Sequence, residues 1–366
     1  MTRTEAYLAL NLLPKIGPVR VRRLLEVFGS PEKILSAKAH HILQVEGFGR
    51  DLAETIAGWE STIDLSRELR RIDEMKLTIL TQEDEMYSSL LKETHAPPLV
   101  LYVWGQLTER DRNAVGVVGS RQASMYGLEA AKKMSFQIAY AGFTVISGLA
   151  RGIDTAAHEG ALASKGRTVA VIGAGMGKLY PPENMGLAER IAQQGAVITE
   201  FPVDYPPDKQ SFPLRNRIVA GMCSGLLVVE APVRSGSLIT ANQATEMGRT
   251  VFAVPGNIDR PTSAGCNKLI QQGAKLVMDG GDVLDDLMTL FPTAARAPKL
   301  ETPELPVNMS PDEGAVFAAL GTEQSHIDQI TARCGLSSAV VSSTLMRLEM
   351  KRLVRPLPGL RYVKLV

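Results

Sequence analysis

Between residue 99 and about residue 290, short runs rich in Val, Ile and Leu alternate with longer stretches whose apolar positions recur at helical spacing. The runs at 114–118, 143–146, 169–172 and 226–229 are nearly continuous in apolar residues, as expected of parallel strands buried on both faces. The stretches at 125–140, 154–163, 183–194, 213–223, 239–247, 265–272 and 282–290 predict helices. Alternation of this kind predicts the α/β class, as a doubly wound, Rossmann-like parallel sheet.

The pattern changes on both sides of this region. Residues 4–58 read as short amphipathic helices, broken by two similar turns at 13–18 and 45–50. Both turns resemble helix-hairpin-helix elements, whose backbone N–H groups can grip a DNA phosphate or can simply join two helices compactly. A helix at 62–75, a short strand near 78–80 and Pro97-Pro98 follow. Beyond 290, a stretch rich in proline and small residues reads as a linker. Helical patterns at 310–320, 327–334 and 339–351, with a hairpin at 353–356 and 361–366 closing on Gly359, predict a winged helix. The domain boundaries expected are therefore 1–60, 61–98, 99–290, 291–308 and 309–366. The second helix of the terminal helix pair opens with Ser337, Ser338, Ser342 and Ser343, and its basic residues come only at its end. That favours protein contact or weak DNA contact over base reading.

Composition narrows the chemistry. A formal net charge of +1 over 366 residues means that any nucleic-acid site is a local concentration of charge. Cys223, Cys266 and Cys334 lie far apart, and with the five histidines they form no metal-ligand pattern. The start of the chain has no apolar run of signal-peptide type, and no segment approaches a membrane helix, so a cytoplasmic protein is expected.

Each predicted strand runs into a glycine- or serine-rich turn: Gly119-Ser120-Arg121, Ser147-Gly148 through Arg151-Gly152, Gly173 through Gly175, and Arg234-Ser235-Gly236. In an open parallel sheet such turns line up at the carboxyl edge, where glycines and helix N-termini suit phosphates. The basic helix start Phe212-Pro213-Leu214-Arg215-Asn216-Arg217 belongs to the same set. Arg215 and Arg217 stand about 200° apart around a regular helix, so they are expected to act unequally. The sequence favours Arg215 for phosphate, with stability little affected by its loss, and Arg217 for a neighbouring loop or carboxylate. Phe212 suits either a base stack or a staple onto the core. The run Gly173 to Gly177 only partly fits a dinucleotide fingerprint, because Lys178 stands where the third glycine belongs. Asp154, His158, Glu200 and Glu246 are the acid–base candidates, and Asp154 with His158 suits either a pair or a helix cap with a packed histidine.

Together the 119–121, 147–158, 212–218 and 234–241 segments, with Val251 through Gly256 and Gly265 through Ile270, resemble the DNA-processing protein A family, also called DprA or Smf. The resemblance covers roughly residues 95–290. It implies a protein without cofactor or catalytic role that binds single-stranded DNA, dimerises through the Rossmann-like domain and helps load the RecA recombinase in natural transformation. By the same resemblance Arg121, Arg215 and Arg217 face the DNA, with Gly119, Ser120, Ser147, Gly148, Arg151, Phe212, Asn216, Ser235 and Gly236 as neighbours. Pro182 departs from the family, which often has a basic residue there. A nucleotide-cleaving phosphoribohydrolase on the same sheet type is the alternative, although the turn at 235–240 lacks the glycine run that such enzymes carry.

Overall fold

A computed structural model describes residues 1–288, 309–321, 324–351 and 353–364. Two compact units divide the chain, one ahead of residue 299 and one after it. In the first, nine strands form a single sheet: β1 (Thr78–Thr81), β2 (Val100–Gly105), β3 (Ala114–Val118), β4 (Thr144–Ser147), β5 (Thr168–Val171), β6 (Ala196–Thr199), β7 (Gly225–Val228), β8 (Thr250–Ala253) and β9 (Lys275–Leu276). Their order is β1-β2-β6-β5-β4-β3-β7-β8-β9. From β6 to β9 every pair is parallel, and β3, β4, β5 and β7 are buried throughout, in keeping with their unbroken apolar runs.

The chain moves outward from β3 through β4, β5 and β6, then returns to the other side of β3 as β7. The strand order thus reverses between β3 and β7, and a crevice opens there at the carboxyl edge.

β1 and β2 depart from the simple alternation. Both pair antiparallel, β2 against β6 and β1 against β2. The geometry of the connection explains the direction of β2. Four strand spacings, about 19 Å, separate β2 from β3, a span that residues 106–113 cover along one edge of the sheet. A parallel β2 would need a crossover of a dozen residues or more.

Helices cover both faces. Met125–Tyr140, Ile153–Ala163 and Gly280–Met288 share a core with Val115, Val145 and Phe252. Ser211–Met222, Gly236–Glu246 and Ala264–Gln271 pack on the opposite face with Ile146, Val169 and Leu226. The N-terminal helices also belong to this unit: Leu8, Leu24, Ile42 and Ile56 join one apolar cluster with Tyr102, Ala170 and Val197.

The second unit holds helices Pro311–Ala319, Ile327–Cys334 and Ser338–Met350, and strands β10 (Ser325–His326), β11 (Val354–Leu357) and β12 (Arg361–Lys364) in the order β10-β12-β11. Its core is its own, built on Val316, Ile330, Val341, Leu345 and Leu348. Ser310 and Glu313 form a capping box at the start of the first helix, and Gly335, at φ +68°, ends the second. The arrangement is a winged helix in which β10 adds a third strand to the expected hairpin. The expected linker at 291–308 lies outside the described residues, as do 289–290 and 365–366.

Candidate nucleic-acid interface

The turn after β3 is held by its neighbours. The Ser120 N–H donates to the Glu230 carbonyl at 2.7 Å, and the Ser120 hydroxyl accepts from the Gln122 N–H at 3.1 Å. Gly119 is packed so closely that an added Cβ would lie 2.5 Å from Ile153. Arg121 projects into solvent, its guanidinium carbon 4.9 Å from the centroid of the half-buried Phe212 ring.

The turn after β4 is tighter. Asp154 accepts from the N–H groups of Gly148 and Ala150, at 3.1 and 3.3 Å. A Cβ on Gly148 would lie 1.7 Å from an Arg215 nitrogen, so a larger residue there would displace the Arg215 guanidinium. Arg215 itself is buried, with 4% of its surface exposed, and donates to the Val171 carbonyl at 2.7 Å. Burial pushes its pKa down to about 10 while Asp154 pulls the other way, so the guanidinium stays charged at neutral pH. It forms a cationic floor under the turns.

Three of the helix N-termini at this edge differ in what they already hold. That of Met125–Tyr140 is already occupied: the Glu230 carboxylate accepts from the Ser124 N–H at 3.0 Å and its hydroxyl at 2.9 Å. That of Ile153–Ala163 carries Asp154. The N-terminus of Gly236–Glu246 is open, with Ser235 as its cap and, beyond its own turn of helix, no atom within 4 Å of where a Cβ on Gly236 would be. Its dipole therefore faces the crevice without an internal anion.

These parts surround an open cleft of about 490 Å³ at the β3–β7 crevice. Of the residues expected from sequence, Gly119, Ser120, Arg121, Arg215, Asn216, Ser235 and Gly236 line it. Gly148, Arg151 and Phe212 line a small hollow beside it, together with Arg121, Arg215 and Tyr180. Ser147 and Arg217 lie elsewhere. The Ser147 hydroxyl donates to the Val117 carbonyl at 2.6 Å and ties β4 to β3. Arg217 turns away into a largely buried ion pair with Glu200. Burial of Arg215 corrects the expectation that its loss leaves stability nearly intact.

Gln122, Ser237 and Thr240 also line the cleft, as does Arg234, which the sequence places in the turn but not among the DNA-facing residues. The position of Arg234, directly before the Ser235 cap, was the available signal. Arg234 and Arg121 are exposed, and neither is ion-paired among the described residues. The other candidates have structural uses. Asp154 and His158 do not pair: the buried His158 ring contacts the Thr168 hydroxyl at 2.7 Å, and burial pushes its pKa down to about 3. Gly175 and Gly177 are filled from behind by the 202–205 loop, donating to the Tyr205 and Val203 carbonyls at 2.9 Å each. In the first N-terminal hairpin Arg20 and Arg22 donate to the carbonyls of Lys15 and His95. In the winged helix, Ser338, Ser342, Ser343, Met346 and Met350 make an exposed, weakly charged face, and Lys351 pairs with Glu313 at 2.9 Å. Among the described residues no group of histidine, cysteine and acidic side chains is arranged to hold a metal ion, and no helix is long and apolar enough to cross a membrane.

Comparison with known proteins gives a consistent result. The profile of the DNA recombination-mediator protein A family matches residues 78–288, that of the DprA winged helix domain residues 294–359, and that of a SAM-like helix-hairpin-helix tandem residues 7–57. The chain is similar to Protein Smf of Synechocystis, at 35% identity over 98% of both chains. It is similar to the DNA processing protein DprA of Streptococcus pneumoniae, at 46% identity over 55% of this chain and 71% of that one. Among solved structures, DprA from Streptococcus pneumoniae has a TM-score of 0.68 at 36% identity, covering 78% of this chain and 98% of its own. DNA processing protein A from Helicobacter pylori, whose structure concerns its single-stranded DNA binding mode, has a TM-score of 0.52 at 25% identity, covering 59% of this chain and 97% of its own.

Proposed function

The chain belongs to the DNA recombination-mediator protein A family, and on that premise we propose that it binds single-stranded DNA at the β3–β7 cleft and passes it to the RecA recombinase during transformation. The observation that carries the site is the cleft itself: two exposed, unpaired arginines and an unoccupied helix N-terminus converge on a volume of about 490 Å³. Arg121 and Arg234 supply charge, the buried Arg215 supplies a fixed cationic floor, and the Gly236 end of the helix supplies oriented N–H donors. Phe212, half exposed beside the phosphate site, takes a base on its ring when Arg121, which lies over that ring, turns to the phosphate.

The protein acts as a binder, without chemistry on the nucleotide. Glu246, the acid that a hydrolase reading requires, lies ten residues along the helix from Gly236, about 15 Å from the open end. Dimerisation through the sheet unit and a cytoplasmic location complete the proposal.

Fluorescence anisotropy with labelled oligothymidylate and with a duplex of equal length, each at several salt concentrations, tests it. Single strands are expected to bind more tightly, with log affinity falling against log salt by about 0.7 for each phosphate neutralised. Equal or tighter duplex binding overturns the single-strand reading. Stimulated RecA filament assembly on the same oligonucleotide tests the delivery step.

A further inference from the structure

A row of two rings with a guanidinium at each end leaves the cleft in one direction. After Arg121 and Phe212 comes Tyr180, with ring centroids 6.1 Å apart at 52°, and then Arg151, whose guanidinium carbon lies 5.8 Å from the Tyr180 centroid. The far half of the row plays no part in the cleft, yet it is built firmly. The Asn184 side-chain amide donates to the Leu149 carbonyl at 2.8 Å and contacts the Thr155 hydroxyl at 3.0 Å. The turn carrying Tyr180 is thereby pinned to the turn carrying Arg151. Tyr180, Arg151, Phe212 and Arg121 together line one hollow.

The charge of Arg151 is not idle. It is ion-paired with Glu183, and both side chains are about half exposed, at 54% and 48%. A carboxylate held there presents to the guanidinium the same pair of anionic oxygens that a phosphodiester would. An exposed ion pair is weak enough to be exchanged for another anion.

We propose that Tyr180 and Arg151 form a second nucleotide station, in which Tyr180 stacks a base and Arg151 takes the adjoining phosphodiester, and that Glu183 is the placeholder that this phosphate displaces. The proposal rests on the reading that a single strand occupies the neighbouring cleft. It also supplies an anion contact beside a turn that carries Pro182 instead of a basic residue. The strand would then run from the Gly236 helix end over Phe212 to Tyr180, its bases on the two neighbouring rings and its phosphates on the arginines at either end.

Removing the placeholder gives the test a definite sign. In oligothymidylate titrations of the full chain, Glu183→Gln is expected to bind about two- to five-fold more tightly at low salt, the size of an exposed ion pair. Its salt dependence should steepen by about 0.7 in log–log slope, because Arg151 then gains a phosphate without releasing a carboxylate. Adding Arg151→Ala should cancel both changes, and Tyr180→Phe should bind as the parent does while Tyr180→Leu binds more weakly. Glu183→Gln binding no more tightly, or a gain that survives Arg151→Ala, overturns the second station while Arg121→Ala still weakens binding. If Arg121→Ala has no effect either, the cleft reading falls and the second station with it.

Discussion

Arg121, Arg215 and Arg217 are separated by burial more than by position, and their substitutions should differ accordingly. Arg121 is exposed and unpaired, so Arg121→Ala is expected to cost roughly 1.5–3 kcal/mol of DNA binding, as for a charge-assisted hydrogen bond, with an unchanged melting curve. Arg215→Ala should lower both affinity and melting temperature, because it removes the partner of the Val171 carbonyl and leaves Asp154 buried without its neighbouring cation. Arg217→Ala should lower the melting temperature and leave the affinity of the folded protein unchanged, since Glu200 loses its buried partner far from the cleft. Titration of each variant beside its thermal melt separates the three. Helix arithmetic alone set Arg215 and Arg217 on different faces. It could not show which face was buried, because Val171 reaches Arg215 from β5 and Glu200 reaches Arg217 from just past β6. His158 adds a pH effect. Its folded pKa, about 3, lies below the ordinary value, so the unfolded chain takes up the proton first. Stability should therefore fall as pH drops from about 6.5 towards 3, by up to roughly one kcal/mol per pH unit from this group. His158→Gln should flatten that part of a denaturation-versus-pH profile.

Helices and strands were legible wherever one period dominated. The helix at Met125–Tyr140 and the strand at Ala114–Val118 were readable from their apolar pattern alone. Element ends were less so: the helix expected from 239 starts at Gly236, because Ser235 caps it four residues before Ile239, its first exposed apolar position. The state of a helix end was not legible at all. Glu230 sits some hundred residues from the helix it caps, and only the sheet order brings them together. The open end at Gly236 gives a prediction with opposed signs. A Cβ at Gly236 has open space around it, and Gly236→Asp places a carboxylate at a helix N-terminus, which stabilises by about 0.3–1 kcal/mol. It also puts negative charge where phosphate would sit. The variant should melt no lower than the parent and bind single-stranded DNA more weakly; unchanged binding would move the phosphate site away from this helix.

For the whole molecule, the separate apolar cluster of the winged helix means that the first unit should fold without it. A chain ending at 288 is expected to melt cooperatively and to keep most of its affinity for oligothymidylate, which the same anisotropy titration measures. A large loss in a folded truncation would assign DNA contact to the winged helix. The α/β class was plain from sequence. The attachment of the N-terminal helices to the sheet was not, because their amphipathic pattern says that a face is buried without saying against what. The strand order has one more consequence. Among the described residues the β3–β7 pairing is the one strand pairing between the two wings of the sheet, and the cleft sits at the end of that seam. A strand of DNA touching both the Arg121 turn and the Ser235 turn would act as a clasp across it. Amides of β8, which lie well away from the cleft, should then exchange with solvent up to about 100-fold more slowly when oligonucleotide is present at a hundred times its dissociation constant, wherever exchange requires the seam to part. The ligand would hold shut a sheet that it touches only at its rim.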